Sequence, residues 1–366
     1  MSRDVSLLES KIPLEDIHGI ERILKWTIIL VLVIITPSLN SDPINPIKLA
    51  ILGLGSFAIL SLSIKQISNV RTNQELVLNL LVASFVLLMI LSSNVNHVGL
   101  HKFIFGEWGR NTGFIFYLFL VIIFMVVKAV KSNSLVHALT RAILIGGLAN
   151  VLYMLLQQFG KDPVEWEISQ TFGFTGNLNF ASSLVSVYSL LCLAYLFESA
   201  VALVIRLTLL CTSLIGISLI TFSGSIQGLL QLFLGLILFI FFKLILKGKP
   251  AFIYRFASLF SIVVYAGFSL AIILTSIPSF LSGLVFQQTM GYRRDYWLSA
   301  LGMIFKYPVL GVGPDNYGNY YHEFRSESSA KDNFLRQSNS AHSIVLDLSS
   351  NYGVIVGLIY IFLILF

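Results

Sequence analysis

Residues 114–130 read FIFYLFLVIIFMVVKAV, an apolar run in which Lys128 is the single charged residue. An α-helix needs roughly 17 to 25 such residues to cross the hydrocarbon core of a bilayer. Similar runs recur along the chain, which is 56% hydrophobic and only 11% charged. A soluble domain carries about 25% charged residues, so this chain lacks the charge to cover a surface that faces water. The sequence therefore predicts an all-α, polytopic helical membrane protein.

The hydrophobic pattern predicts about ten transmembrane helices. The amino-terminal segment before the first run is too polar for a signal peptide, so that run is predicted to stay as an anchor. The last run offers about fifteen residues where roughly twenty are needed to span a bilayer, so we interpret the carboxyl end as truncated. The predicted spans lie at 23–39, 47–64, 76–91, 114–130, 135–159, 180–197, 200–222, 225–246, 253–277 and 352–366.

The positive charges predict the orientation of these spans, because cytoplasmic loops of membrane proteins are rich in Lys and Arg. With the amino terminus in the cytoplasm, residues such as Lys65, Arg71 and Lys247 fall at cytoplasmic ends, whereas the short outside connections carry few positive residues. We therefore expect a multi-pass membrane protein with its amino terminus in the cytoplasm. The net charge of +6 does not indicate nucleic-acid binding, since the positive residues lie at helix ends rather than in one basic stripe.

The chain is predicted to divide into an amino-terminal transmembrane bundle at 1–277, a large periplasmic loop at 278–351 and a last helix at 352–366. A loop of that length is usually functional or disordered. This loop is rich in tyrosine, and disordered segments are poor in aromatic residues. We therefore expect a folded cap on the outer face of the membrane, with short helices at 296–305 and 344–348.

The predicted spans hold almost no ionisable side chain at mid-membrane depth. Ion-coupled transporters usually carry Asp, Glu, Lys or His there, so the sequence disfavours transport and predicts any chemistry at the outer interface. His97 and His101 have the spacing of two zinc ligands on a helix, but no third ligand accompanies them. We expect them to be two polar loop residues, and we expect no metal site.

Two stretches of the long loop combine residues suited to chemistry: GYRRDYWLSALGMIFKYPVLGVGPDNYGNYY at 291–321 and AHSIVLDLSSNYGVIVGL at 341–358. The planar guanidinium of Arg293 or Arg294 suits a pyrophosphate, because it forms paired charge-assisted hydrogen bonds. A histidine imidazole ordinarily titrates near neutral pH, so His342 suits a general base for a sugar hydroxyl. Arginine beside Tyr and Trp is equally typical of a membrane-interface anchor, and His342 could instead anchor the last helix.

The order of these residues resembles the O-antigen ligase and polymerase family, the Wzy_C-type membrane glycosyltransferases, which include pilin oligosaccharyltransferases. The family's first signature is Arg, three residues, Trp, a short helix, a Gly-Val-Gly-Pro-like turn and an aromatic residue. Its second signature is His, then Asn or Ser, then Gly after nine residues. The motifs GRNTG at 109–113 and GFTGNLN at 173–179 also resemble outside-loop motifs of the family. The matching residues are Arg293, Trp297, Pro308, Gly311, Gly313, Pro314 and Tyr317 in the first signature and His342, Ser343 and Gly353 in the second.

Two departures from the family pattern bear on activity. Val356 stands where relatives usually have a small residue or Tyr, and the stretch TFSGS at 221–225 has Gly224 where many members have an arginine. If that arginine holds the pyrophosphate in relatives, either Arg110 or Arg294 replaces it here or the activity differs.

The resemblance implies a GT-C-like glycosyltransferase of a bacterial inner membrane, active on the periplasmic face without a metal or other cofactor. Its implied partners are a glycan donor linked to undecaprenyl pyrophosphate, an acceptor and membrane lipids. An O-antigen ligase acting on lipid A–core is the first interpretation, and a polysaccharide polymerase or a protein O-oligosaccharyltransferase is the alternative. From a different class, a polysaccharide transporter or flippase predicts polar residues along a membrane path and inverted repeats, and the sequence shows neither.

The same resemblance implies roles for individual residues. His342 would orient or deprotonate the acceptor hydroxyl and would form the catalytic set together with Arg293. For Arg110, Asn177 and Asn179, an ordinary turn or N-cap role is an equal alternative. The implied residues that bind the donor pyrophosphate are Arg293, Arg294 and Arg110, and the implied substrate-binding residues are Trp297, Tyr317, Asn177 and Asn179.

Overall fold

The computed structural model describes residues 14–37, 42–67, 72–130, 132–164, 166, 170–196, 202–223, 225–242, 288–332 and 335–365. Within these ranges every regular element is a helix, which confirms the all-α prediction for this part of the chain. In chain order the helices are α1 (Leu14–Val33), α2 (Asn45–Ile67), α3 (Asn73–Val95), α4 (Leu100–Phe105), α5 (Phe114–Val130), α6 (Asn133–Gln158), α7 (Leu178–Leu196), α8 (Leu203–Phe222), α9 (Ile226–Ile240), α10 (Gln288–Lys306), α11 (Tyr317–Phe324), α12 (Glu327–Asp332), α13 (Ile344–Tyr352) and α14 (Val354–Leu365).

Five of the described helices are long and apolar enough to cross a membrane, namely α2, α3, α6, α7 and α8. Three others, α5, α9 and α14, are apolar but shorter. Each predicted span within the described residues overlaps at least one helix, and the run at 114–130 coincides with α5. The span predicted at 253–277 lies outside the described residues. The number of ten spans, their orientation and the side on which the long loop lies stay predictions.

The chain separates by packing into two compact units, one built from residues 1–69 and 119–247 and the other from 70–118 and 248–366. The second unit therefore joins an early segment of the chain to its carboxyl-terminal part. The division predicted from the sequence, at 277 and 351, follows membrane topology rather than packing, and that topology stays a prediction.

In the first unit, α1 packs against α2 and α6, and α7 packs against α8 and α9. Helix α1 begins at Leu14, well before the predicted span at 23, because Ile17, Ile20 and Leu24 recur at helical spacing among polar residues and are buried. Gly147 lets α6 approach α7 closely, since a Cβ atom there would lie 2.6 Å from the side chain of Tyr188.

In the second unit, α10 packs against α11 and α13, and α14 packs against α3. The short helix predicted at 296–305 is part of α10, and the one predicted at 344–348 is the start of α13. A buried cluster joins these elements, and it holds the loop after α10 and the turn before α13 in place. Its members are Trp297, Ala300, Met303, Val312, Tyr317, Tyr321 and Ala341.

Candidate active site

The two signature stretches of the sequence pair through their backbones in the second unit. The Val312 N–H, in the loop after α10, donates to the Ser350 carbonyl of α13 at 2.9 Å. The Val354 N–H, at the start of α14, donates to the Pro308 carbonyl at 2.9 Å. The Gly-Val-Gly-Pro loop and the segment from His342 to Gly353 thus form one structural element, although about thirty residues separate them along the chain.

Asn351 and Ser92 connect this element to its surroundings. The Asn351 side chain accepts a hydrogen bond from the Tyr317 N–H at 3.0 Å, and it donates to the Asp347 carbonyl at 2.9 Å. The Ser92 hydroxyl, near the end of α3, donates to the Leu310 carbonyl at 2.6 Å and lies 3.1 Å from the Asn351 carbonyl. Neither residue gives a signal in the sequence, since each is a neutral polar residue among other polar and apolar neighbours.

Asp315 attaches the segment 106–113 to the same element. Its carboxylate accepts hydrogen bonds from the Glu107 N–H at 2.9 Å and from the Thr112 hydroxyl at 3.3 Å. This segment contains the motif GRNTG, so the attachment brings Arg110 to the turn before α13. Asp315 gives no signal in the sequence, because both donors lie about two hundred residues away along the chain.

Arg110 and Asp347 lie together behind that turn. One terminal nitrogen of the Arg110 guanidinium donates to the Asn339 carbonyl. The other terminal nitrogen lies 3.9 Å from the Asp347 carboxylate. The same carboxylate accepts a hydrogen bond from the Ala341 N–H at 2.7 Å. Burial raises the pKa of Asp347 to about 6, while the charge of Arg110 and the Ala341 N–H act in the opposite direction.

His342 lies at the surface of the second unit with its backbone in the left-handed region, at a φ of 53°. Few residues other than Gly adopt this conformation, although His is among those that do so more often. Its N–H donates to the Ser340 hydroxyl at 2.9 Å. Its ring lies 5.3 Å from the ring of Tyr296, measured between centroids. The histidine is therefore accessible to a ligand while its backbone is held by the turn.

Two positive charges act on the imidazole. Partial burial of the ring lowers the pKa of His342 to about 4, and the guanidinium groups of Arg293 and Arg110 act in the same direction. The residue as a whole is exposed, so solvent screens part of this effect. At neutral pH the imidazole is uncharged and can accept a proton.

This electrostatic setting leads to a first prediction. In the folded protein we expect the titration midpoint of His342 to lie at least about one unit below the ordinary value near 6.5. Histidine-selective NMR of the detergent-solubilised protein, with His342→Gln to assign the signal, measures it. Arg293→Gln should move the midpoint upward, because it removes one positive charge. A midpoint at or above 6.5 in the unaltered protein would contradict this account.

The two adjacent arginines of α10 have different surroundings. Arg293 acts on His342 through its charge. Successive residues on a helix do not face each other, so Arg294 points in a different direction, and its Nε atom is buried without a hydrogen-bond partner among the described residues. Of the residues predicted to bind the donor pyrophosphate, the structure thus brings Arg293 and Arg110 near His342.

The two aromatic residues predicted to bind substrate lie inside the buried cluster. Trp297 is 9% exposed and Tyr317 is 0% exposed. The Tyr317 hydroxyl donates to the Tyr296 carbonyl at 2.8 Å. The structure gives both residues a packing role, and contact with substrate stays a prediction. The aromatic ring that adjoins His342 is that of Tyr296, which the sequence analysis did not single out.

Asn177 and Asn179 belong to the first unit and shape the turn before α7. The Asn177 side chain accepts a hydrogen bond from the Asn179 N–H at 2.8 Å. The Asn179 side chain accepts one from the Ser225 hydroxyl at 3.2 Å. The first contact is that of a turn residue, and the second joins α7 to the residue before α9. Substrate binding by either side chain stays a prediction. Gly224, which stands at the position of the family arginine, lies outside the described residues.

The described part of the chain is that of a helical membrane protein, with a surface site of one histidine, two arginines and one aspartate. Residues 211–361 of this chain match the model of the O-antigen ligase family, Wzy_C. The match contains both signatures, from Arg293 to Gly353, and confirms the predicted family resemblance. Arg110, Asn177 and Asn179 precede the matched residues. No curated protein matches the chain significantly.

Proposed function

We propose that this protein is a glycosyltransferase that moves a glycan from undecaprenyl pyrophosphate to an acceptor hydroxyl at the periplasmic face of the inner membrane. The acceptor in this proposal is lipid A–core, which makes the protein an O-antigen ligase. The observation that supports it is the exposed, uncharged His342 beside the charge of Arg293, within the residues that match the family. A proton acceptor next to an anion-binding group is what transfer from a pyrophosphate carrier requires.

In the proposed reaction the acceptor oxygen attacks the anomeric carbon of the donor sugar. The bond between that carbon and the pyrophosphate oxygen breaks, and the electron pair leaves with the lipid pyrophosphate. The proton of the acceptor hydroxyl passes to the neutral imidazole of His342. No nucleotide is consumed, because the donor already carries its leaving group.

Arg293 has two effects in this proposal. Its guanidinium binds the pyrophosphate and stabilises the charge that develops as the bond breaks. The bound pyrophosphate also offsets the positive charge that lowers the pKa of His342. Donor binding therefore makes the imidazole a better proton acceptor at the moment when one is needed.

Surface glycans provide the test of the proposed function. The protein is expressed in a bacterial host that lacks its own O-antigen ligase, and in a second host that lacks its O-antigen polymerase. If polymer appears on lipid A–core in the first host and the second host is unchanged, the protein is a ligase as proposed. If long chains are restored in the second host and the first host is unchanged, the protein is a polymerase. Glycan attached to a protein would identify a protein O-oligosaccharyltransferase. No change of glycan in either host, with the protein present in the membrane, would overturn the proposal.

The role of Arg293 gives a second prediction. Arg293→Gln should lower kcat roughly 10²- to 10³-fold, the usual cost of removing one group that stabilises developing charge. Arg293→Lys should recover part of the activity, because it keeps the charge but loses the planar fork. The measurement is transfer from lipid-linked glycan by purified protein, with Lys306→Gln as control, since Lys306 forms an exposed ion pair with Glu323. Equal activity of Arg293→Gln and the control would exclude Arg293 from the site.

A further inference from the structure

The turn that presents His342 has internal hydrogen bonds that do not by themselves fix its position. The Ser338 hydroxyl donates to the Ser340 carbonyl at 2.7 Å, and the His342 N–H donates to the Ser340 hydroxyl. These contacts shape the turn locally. A non-glycine residue in the left-handed region is disfavoured by roughly 1 to 2 kcal/mol, so the position of His342 depends on contacts from outside the turn.

Two side chains provide those outside contacts, and each binds a different peptide group. The Asp347 carboxylate accepts from the Ala341 N–H, the peptide group directly before His342. The Arg110 guanidinium donates to the Asn339 carbonyl, on the other side of Ser340. The two side chains also form an ion pair at 3.9 Å, in which Arg110 is 25% exposed and Asp347 is 13% exposed. Both ends of the turn are thus tied to one partly buried ion pair.

We propose that Arg110 and Asp347 are positioning residues, an ion pair that holds the turn 339–342 so that His342 stays next to Arg293. This inference rests on the proposed function, and it gives Arg110 a task other than binding the donor pyrophosphate. Asp347 acts here through the backbone of Ala341, not through contact with substrate. Arg110 comes from a distant segment of the chain, which Asp315 attaches to the same unit.

A direct electrostatic effect of Asp347 can be told apart from a positioning effect by its sign. The ring of Tyr296 adjoins His342, the charges of Arg293 and Arg110 act on His342, and the charges of Arg110 and Asp315 act on Asp347. If Asp347 acted only through its charge, its loss would leave the pKa of His342 unchanged or slightly lower, because Asp347, with a pKa of about 6, is largely protonated at the pH where His342 titrates. If Asp347 holds the turn, its loss frees the ring from Arg293 and from partial burial, and the pKa of His342 rises.

The test compares Asp347→Ala, Asp347→Asn and Arg110→Lys in the full chain, reconstituted with membrane lipid. For Asp347→Ala we expect kcat to fall roughly 10²-fold, the scale on which a small misplacement of a catalytic group acts, with KM for the lipid-linked donor unchanged. Asp347→Asn should lower kcat less than Asp347→Ala does, because its amide oxygen can still accept the hydrogen bond from the Ala341 N–H. Arg110→Lys should also show a kcat between those of the unaltered protein and Asp347→Ala, because lysine keeps the positive charge. Glu323→Ala is the matched control, since it breaks an exposed ion pair of the same unit.

The His342 titration supplies a readout that does not need activity. In Asp347→Ala the midpoint should rise toward the ordinary value, whereas an unchanged or lower midpoint would overturn the positioning role. A large rise of donor KM at constant kcat in Arg110→Lys would overturn it too, since Arg110 would then bind the donor. If the unaltered protein transfers no glycan to any acceptor, the proposed function fails, and the His342 midpoint still decides whether the ion pair holds the turn.

Discussion

Replacing His342 by Asn is expected to lower transfer roughly 10²- to 10⁴-fold, the range that a general base contributes, while the protein remains folded in the membrane. The expectation of a folded variant follows from the position of the side chain, which is exposed and contacts the ring of Tyr296 at the surface. Asn also tolerates the left-handed backbone that this position requires. His342→Ala should show the same loss of transfer, with an added cost in backbone strain.

His322 offers a matched control for this variant. It is an exposed histidine of α11 in the same unit, and it adjoins the ring of Tyr321 at 5.7 Å. His322→Asn should therefore leave transfer and membrane content unchanged. The measurement is the rate of glycan transfer per amount of protein, for both variants side by side. Transfer by His342→Asn at the rate of the control would remove the histidine from the mechanism.

Much of the fold could be predicted from the sequence, because the bilayer imposes a simple rule on helices. A run of apolar residues that is long enough to cross must be helical, and the predicted spans accordingly overlap helices wherever the structure describes them. The rule fails at α1, whose first turns are amphipathic rather than apolar. There the buried residues Ile17 and Ile20 lie at helical spacing among polar neighbours. The mean hydropathy of that stretch is therefore too low to indicate a span.

The candidate site could be predicted only in part. Arg293 and His342 could be predicted because their order along the chain resembles a family. In the structure the positive charge of Arg293 helps to lower the pKa of His342. Asp347 was missed, although a single carboxylate inside the apolar run IVLDLSS is an unusual residue to bury. Its partner Arg110 lies more than two hundred residues earlier, and one sequence gives no signal for a contact between such distant segments.

The glycine of the second signature gives the largest expected effect on stability. Gly353 has a φ of 97°, and a Cβ atom there would lie 2.0 Å from the Val309 carbonyl oxygen. The neighbouring backbone cannot move aside without loss, because the Val354 N–H is bonded to the Pro308 carbonyl. Gly353→Ala therefore meets both backbone strain and a steric overlap, which together should cost at least about 3 kcal/mol.

Gly109 separates these two costs, because it has a φ of 81° and a Cβ atom there would have no neighbour within 4 Å among the described residues. Gly109→Ala should show backbone strain alone, about 1 to 2 kcal/mol. Thermal unfolding in detergent measures both variants, and limited proteolysis of the loop after α10 reports whether the second unit has opened. A much lower Tm for Gly353→Ala than for Gly109→Ala supports the backbone pairing of the two signatures. Equal values would mean that Val309 and Gly353 do not meet, and the spacing between His342 and Gly353 would then need a different physical reason.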